Sequence, residues 1–586
     1  MRRSLLIPLS VLGAFAVNGC EGCLGLDEYT IVPGAGGSGS SSTTTTTTTE
    51  LCGPGVASGS VMVVLPPDPG PASGGTGACA QPADPAPGMD VFALDPTFGS
   101  CRARGRITHG AGTTLRGGMR VRHEANSIAV VAGAFRGGPL SLPVRCSASE
   151  TVIVEEGPGA TDTLFVAALR LSGSSFCTEW VRRAYTTDPG GAGALHVNAA
   201  EIDGSGGVAI AGTLGGAVVL FEGGSTAMSS LSGQAFFAGY GATGSLDVAT
   251  ALAAAPGAED AALGMSAYEG AWLVTGAARA ESPECHGCAG PVSVLDAAAV
   301  CPAGGAGGAG GAGGAPSDSS NAFLWEPGGA ESCNGLATFG SDRLGDGDAQ
   351  AGLALSVVPS SGDCVGYWSG LAGVEPWRFL ADDPTSALYN AGGASRDGFI
   401  ARLDGGEALW CGSGSGAAWS LRATPADPGA VASGERVVAS PCSEGATAAI
   451  LVQGTTGGAL DLHRCETGGG CEAAIASVPL PGTGEPQLAL LGLTGDGRLD
   501  WQGALGPVAV DAGGAPVGRA VADLGSNGRD ALYLVLHATG PVSSLGIDLS
   551  RCDTLVEAEA GTWVIGLDRA GSQGEAACAW AARLAP

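Results

Sequence analysis

The feature that most constrains this 586-residue chain is a two-part apolar pattern repeated from end to end. Its first half is a short strand of the type Phe-x-Ala-x-Leu followed by a Gly turn. Copies begin at Asp90, Asp162, Gln234, Asn321, Asp397, Gln487 and Thr562, spaced 72, 72, 87, 76, 90 and 75 residues apart. Its second half is an apolar run ending in Gly, as in Ser127 to Gly133, Gly207 to Gly212, Ala271 to Gly276 and Val365 to Gly370. Weaker copies run from Ala448 to Gly454 and from Ala531 to His537. Short apolar runs bounded by Gly read as strands, and a unit of this length holds four of them. Gly just after such a run supplies the positive-φ turn between antiparallel neighbours.

Small antiparallel sheets repeated in this way hide their edges when they radiate around an axis. The expected fold is all-β, a single seven-bladed β-propeller covering residues 51–586. The seventh unit stops at Pro586 after half a repeat, while Val61 to Leu65 is an orphan second half. Pairing the first extended segment beside the last would close the ring. Two β-sandwiches are the alternative all-β arrangement. The Gly/Ala-rich stretch 303–316 is then a loop on the rim.

The best copy of the pattern joins Phe165-Val-Ala-Ala-Leu169 to Asp203-Gly-Ser-Gly-Gly-Val-Ala-Ile-Ala-Gly212. It resembles the SBBP-type β-propeller repeat of bacterial secreted proteins and lipoproteins, with units three, four and six departing from it. That resemblance implies a propeller and an extracellular location, and carries no active-site residues. A second likeness, of Gly495-Asp496-Gly-Arg-Leu-Asp500 and Asn527-Gly-Arg-Asp530, is to the calcium-binding FG-GAP propeller of adhesion proteins.

The start of the chain concerns location. Arg2 and Arg3 precede an apolar stretch from Leu5 to Val17, too short to span as a transmembrane helix but right for a signal peptide. Val17-Asn18-Gly19-Cys20 resembles the bacterial lipobox, which implies a signal peptide over 1–19 and a lipid-bearing Cys20 at the mature terminus. An ordinary signal peptide with an incidental Cys is the plainer alternative. Residues 20–50, Gly/Ser-rich and then seven consecutive Thr, have little to bury and read as a flexible tether. The expected location is the cell envelope, at the outer membrane or cell surface, with the lipid as membrane anchor.

Composition supports export and narrows the partners. Eighteen Cys suit an oxidising compartment. Net charge is −29, with every one of the 27 basic residues an Arg, so phosphate backbones are repelled and no nucleic-acid partner is expected. Disulfides are expected between Cys101 and Cys146, Cys333 and Cys364, and Cys411 and Cys442. Cys285-His286-Gly287-Cys288 has C-x-x-C spacing without a second pair, and reads as a disulfide-bonded loop rather than a zinc site. Asp342, Asp346 and Asp348, with Asp496 and Asp500, resemble calcium-loop fragments, although Asp-Gly is also ordinary turn chemistry. Calcium is therefore the candidate ion, and no other cofactor is expected. Trp325, Trp368, Trp377, Trp410 and Trp501 are candidates to stack on sugars or to fill the core. No nucleophile elbow or phosphate-binding loop is present. The expected function is a lipid-anchored extracytoplasmic binding scaffold for a protein or glycan. A propeller enzyme acting on extracellular polysaccharide, and a calcium-binding adhesion propeller, are the alternatives.

Overall fold

The computed structural model describes residues 61–64 and, in discontinuous stretches, 87–585; residues 1–60, 65–86 and 279–320 are the longest stretches outside it. The described chain is all-β, with one short helix at Asp553–Val556. Most strands fall into consecutive antiparallel units. The first has three strands, Val61–Val64, Gly88–Leu94 and Cys101–His109. The second unit comprises Thr114–His123, Ile128–Arg136, Thr163–Ser172 and Ser175–Thr186. Leu195–Ile202, Val208–Leu214, Gln234–Tyr240 and Leu246–Ala251 make the third. Ala261–Tyr268, Ala271–Ala278, Asn321–Trp325 and Leu336–Phe339 form the fourth. The fifth is Ala351–Pro359, Cys364–Ala372, Asp397–Gly405 and Ala417–Pro425. The sixth runs Val431–Ala439, Ala446–Gln453, Gln487–Leu493 and Leu499–Val508. The seventh is Ala522–Ser526, Leu532–Leu545, Gly561–Ala570 and Glu575–Ala585.

The two halves of the sequence pattern are the second and third strands of these units, and one contact ties them together. Gly133 lies opposite Phe165, Gly212 opposite Phe236, Gly276 opposite Phe323, and Gly370 opposite Phe399. These glycines sit within strands, not in the positive-φ turns expected of them. At Gly212, Gly276 and Gly370 a Cβ would overlap a carbonyl of the first strand and the Phe ring of the third. Gly is required there by close approach, and the aromatic ring covers the gap it leaves.

Successive units pack face to face, which buries both faces of their middle strands. Gln487–Leu493 is buried at every position, whereas the first unit's last strand, Cys101–His109, alternates. Period-two geometry sends neighbours to opposite sides. Val131 packs toward Val91 and Ile107 of the first unit, and Val130 toward Leu195 and Phe236 of the third. Equivalent clusters join each later pair, and Val63, Phe92 and Leu94 of the first unit pack with Tyr533, Val564 and Trp580 of the seventh.

The terminal segments therefore meet, but differently from the expectation. Val61–Val64 pairs in register with Val91–Leu94 and begins the first unit. Gly561–Ala570 and Glu575–Ala585 complete a seventh unit that has all four of its own strands. The unit boundary lies between the first and second halves of the sequence pattern, half a repeat away from where it was expected. Val63 reaches Val564 through side-chain packing, not strand pairing.

Two further devices hold neighbours together. One is an indole latch. Trp180 on the second unit's fourth strand donates from Nε1 to the Ala242 carbonyl in the third unit's last turn, at 2.9 Å. Trp419 does the same to Gly495 of the sixth unit at 2.9 Å, and Trp580 to Pro96 of the first at 3.0 Å. In each receiving turn a positive-φ glycine, Gly244, Gly497 or Gly99, lies against the indole, where no side chain fits.

The other device is strand lending. The connection between a unit's second and third strands reaches back to extend the fourth strand of the unit before it. Leu140–Val144 does this on Cys101–His109, Val219–Phe221 on Ser175–Thr186, and Ala459–Glu466 on Ala417–Pro425. The far half of Leu532–Leu545 does it on Leu499–Val508. Each covers an edge that would otherwise be open.

Candidate functional site

Third strands all begin at the same end of their units, and that end also carries the long second-to-third connections. Loops held on a rigid scaffold are where binding groups concentrate, so this end is the candidate site. Its polar residues are largely committed to structure. Asp90 accepts Arg104 Nε at 2.8 Å and Arg106 Nη1 at 3.0 Å. Asp397 is fully buried and paired with Arg422. Burial pushes the Arg422 guanidinium down to about 10. The Gln487 amide brackets Gly482, accepting from its N–H at 3.0 Å and donating to its carbonyl at 2.8 Å. That bracket fixes the loop returning from the lent strand. The His537 ring lies 2.9 Å from the Thr562 hydroxyl. Asp162 Oδ1 and Thr186 Oγ1 are both buried without a hydrogen-bond partner among the described residues.

This set positions loops: the carboxylate oxygens of Asp90 and Asp397 are engaged by guanidinium groups of the same unit.

The calcium-loop candidates divide. Asp342, Asp346 and Asp348 lie outside the described residues. Asp496 sits in the tight turn from Thr494 to Arg498, accepting the Thr494 hydroxyl at 2.5 Å and facing Arg498 Nε at 3.1 Å. The Thr494 hydroxyl, aided by Arg498, holds its carboxyl below the usual range. Asp500 occupies a bulge, skipped between the Trp501–Gly492 and Leu499–Leu493 pairs. Among the described residues no group of three or more His, Cys, Asp or Glu side chains is arranged to hold a metal ion. The turn accounts for Asp496.

The cysteines correct one expected pairing. Cys146 bonds to Cys177, with Cα atoms 4.9 Å apart, and not to Cys101. The lent strand meets Cys101–His109 only at Thr108 and His109, the far end from Cys101. Its hairpin instead brings Cys146 beside Thr178, whose carbonyl accepts the Cys146 N–H at 3.0 Å. A second bridge, Cys552–Cys578, ties the helix region to the last strand, with Cα atoms 6.2 Å apart. Cys101 and Cys465 are also disulfide-bonded. Cys20, Cys285, Cys288, Cys333, Cys411 and Cys442 lie outside the described residues, as does the Cys364 side chain.

The tryptophans are structural where they are described. Trp325 and Trp368 are fully buried, and Trp368 donates to Thr275 Oγ1 of the preceding unit at 2.8 Å. Trp501 is buried as well, so none of these three offers a face to a sugar. Trp410 and the Trp377 side chain lie outside the described residues. The latch tryptophans Trp180, Trp419 and Trp580 were not singled out from sequence. Their signal is a bulge directly before each, which leaves Glu179, Ala418 and Ala579 unpaired. No family model and no curated protein matches the sequence.

Proposed function

We propose that the chain is a lipid-anchored, extracytoplasmic β-propeller of seven blades that acts as a binding scaffold at the bacterial cell envelope. The observation that carries the ring is the bond from Trp580 to Pro96. It repeats, between the last unit and the first, the latch that joins the second unit to the third and the fifth to the sixth. Face-to-face clusters between every consecutive pair, last to first included, support the same reading. So does the likeness of 162–216 to the SBBP-type repeat. The two described disulfides fit an oxidising compartment, and the lipobox-like Val17 to Cys20 supplies the anchor.

Particle averages of the purified protein should show a disc with seven-fold pseudo-symmetry; two stacked sandwiches would overturn the ring. Labelled fatty acid should be incorporated by the exported protein and lost in Cys20→Ala, with release from the membrane fraction. Unchanged labelling in that variant would overturn the anchor.

A further inference from the structure

In the first and fifth units a carboxyl meets a guanidinium on one face of the sheet. Asp90 and Asp397 stand two residues before Phe92 and Phe399, and Arg104 and Arg422 lie opposite those rings. The second unit departs from this by one residue. Its Asp162 stands three residues before Phe165. Side chains alternate along a strand, so Asp162 faces the other way. The arginine opposite Phe165, Arg183, is engaged instead by Glu222 and by the Glu155 carbonyl.

On its own face Asp162 meets an apolar wall. The ladder ends with Thr163 opposite Tyr185, and the same register continued by one residue sets Asp162 opposite Thr186. Leu164 and Ala184, the next pair inward on that face, pack with Leu195 and Phe236 of the third unit. Val219 of the lent strand flanks Thr186 on its other side. Only 3% of Asp162 and 1% of Thr186 is exposed. Asp162 Oδ1 and Thr186 Oγ1 bond neither to each other nor to any other described residue. Arg136, which the register of the second strand places beside Asp162, is exposed and makes no ion pair among the described residues. Buried charges are paired or coordinate metals, and carboxyl and hydroxyl oxygens are the ligands that hard cations take.

We propose that Asp162 and Thr186 hold a hard, oxygen-seeking cation, for which calcium is the probe, where the second unit packs on the third. Asp162 supplies the charge and Thr186 a neutral oxygen. A site with a single carboxyl belongs to the weak, extracellular range of affinity, with Kd about 10⁻⁴–10⁻³ M. Thr186 is also the residue on which the lent strand begins, through its pairing with Val219. The ion therefore ties the start of a third strand to the place where the neighbouring unit's loop is seated, at the end that carries the long connections. The site goes beyond the scaffold reading and depends on neither the ring nor the lipid anchor.

The experiment is thermal unfolding of the full-length protein in EDTA and in about 10 mM calcium. At the affinity above, calcium should raise the parent's melting temperature by about 1–3 °C. Asp162→Asn keeps the shape and removes the charge. It should abolish the rise and, in EDTA, melt no lower than the parent. Thr186→Val should at least halve the rise. No rise in the parent would overturn the proposal. So would an equal rise in Asp162→Asn, the result expected from screening of the chain's −29 charge or from an ion bound elsewhere. A loss in EDTA shared by Asp162→Asn and Arg136→Ala would overturn it in favour of an ion pair between those two residues. Should a variant fail to fold, the parent decides alone. Anomalous difference maps from crystals grown in calcium should peak beside Asp162 and Thr186, and a map without that peak rejects the site.

Discussion

The Trp580 indole and the Pro96 carbonyl, 484 residues apart in sequence, are joined by a 3.0 Å hydrogen bond. Nothing in the local sequence requires it. The bond exists because the first unit's last turn meets the seventh unit's last strand as the third unit's turn meets the second's.

Replacing Trp580 by Phe removes the donor and leaves Pro96 O short of a partner in a buried contact. The expected cost is about 1–3 kcal/mol. Trp180→Phe, which breaks the equivalent latch to Ala242, should cost a similar amount. Urea titrations of both variants check this. A neutral Trp580→Phe beside a destabilised Trp180→Phe would show that the terminal latch is not formed in solution.

Acid should loosen the same junction. Burial alone would raise the Asp95 carboxyl. The Thr97 and Phe98 amides and the Arg102 guanidinium outweigh it and hold the group below its ordinary 3.8. A carboxyl depressed in the folded state contributes stability above its unfolded value and loses it as pH falls through the folded one. The turn that presents Pro96 to Trp580 should therefore lose support below about pH 4. Indole fluorescence followed from pH 6 to 2 should show this transition in the parent and a smaller one in Asp95→Asn.

Gly370→Ala should be severely destabilising, although Ala normally outperforms Gly in a strand. Its Cβ would overlap the Ala351 carbonyl and the Phe399 ring. Phe399→Ala removes the covering ring instead and should cost about 3–5 kcal/mol. Thermal melts of both, and of Gly366→Ala as a permissive control on the same strand, test the pairing.

The Asp397–Arg422 pair gives an asymmetric expectation. Asp397→Ala strands a buried guanidinium and should cost roughly 3–5 kcal/mol, whereas the double replacement Asp397→Leu with Arg422→Met should recover most of it. Denaturant midpoints of the single and double variants decide. A double variant as weak as the single one would mean the ion pair is itself required.

Oxidation should matter too. Non-reducing peptide maps should find Cys146 with Cys177 and Cys552 with Cys578. Each bridge should add roughly 2–4 kcal/mol by restricting the unfolded chain, seen as a lower melting temperature after reduction.

Much of this was legible in the order of residues and some was not. The seven Phe-x-Ala-type segments and their Gly-ended partners all lie on strands, because short apolar runs between glycines have few other options. Their phase was not legible. A two-part repeat reads the same whichever half comes first, so Val61–Val64 looked like the end of the last unit when it begins the first. The Cys101–Cys146 pairing failed for a related reason. Strand lending carries Cys146 to Thr178, and nothing near Cys146 in sequence signals that excursion. Which tryptophans fill the core was not legible, because an indole's burial depends on the unit packed beside it, as Trp368 shows by bonding to Thr275 from the unit before.

The backward reach of the connecting segments gives the molecule a direction of assembly. The rim of the second unit is not sealed until Val219–Phe221 has arrived, and that of the fifth waits for Ala459–Glu466. A chain emerging from its amino end, through a ribosome or an export pore, would thus trail an unfinished margin at each of these units until the next lent segment follows. Truncations that stop just after a fourth strand should leave that margin bare, and cuts placed beyond the next lent segment should be the better behaved.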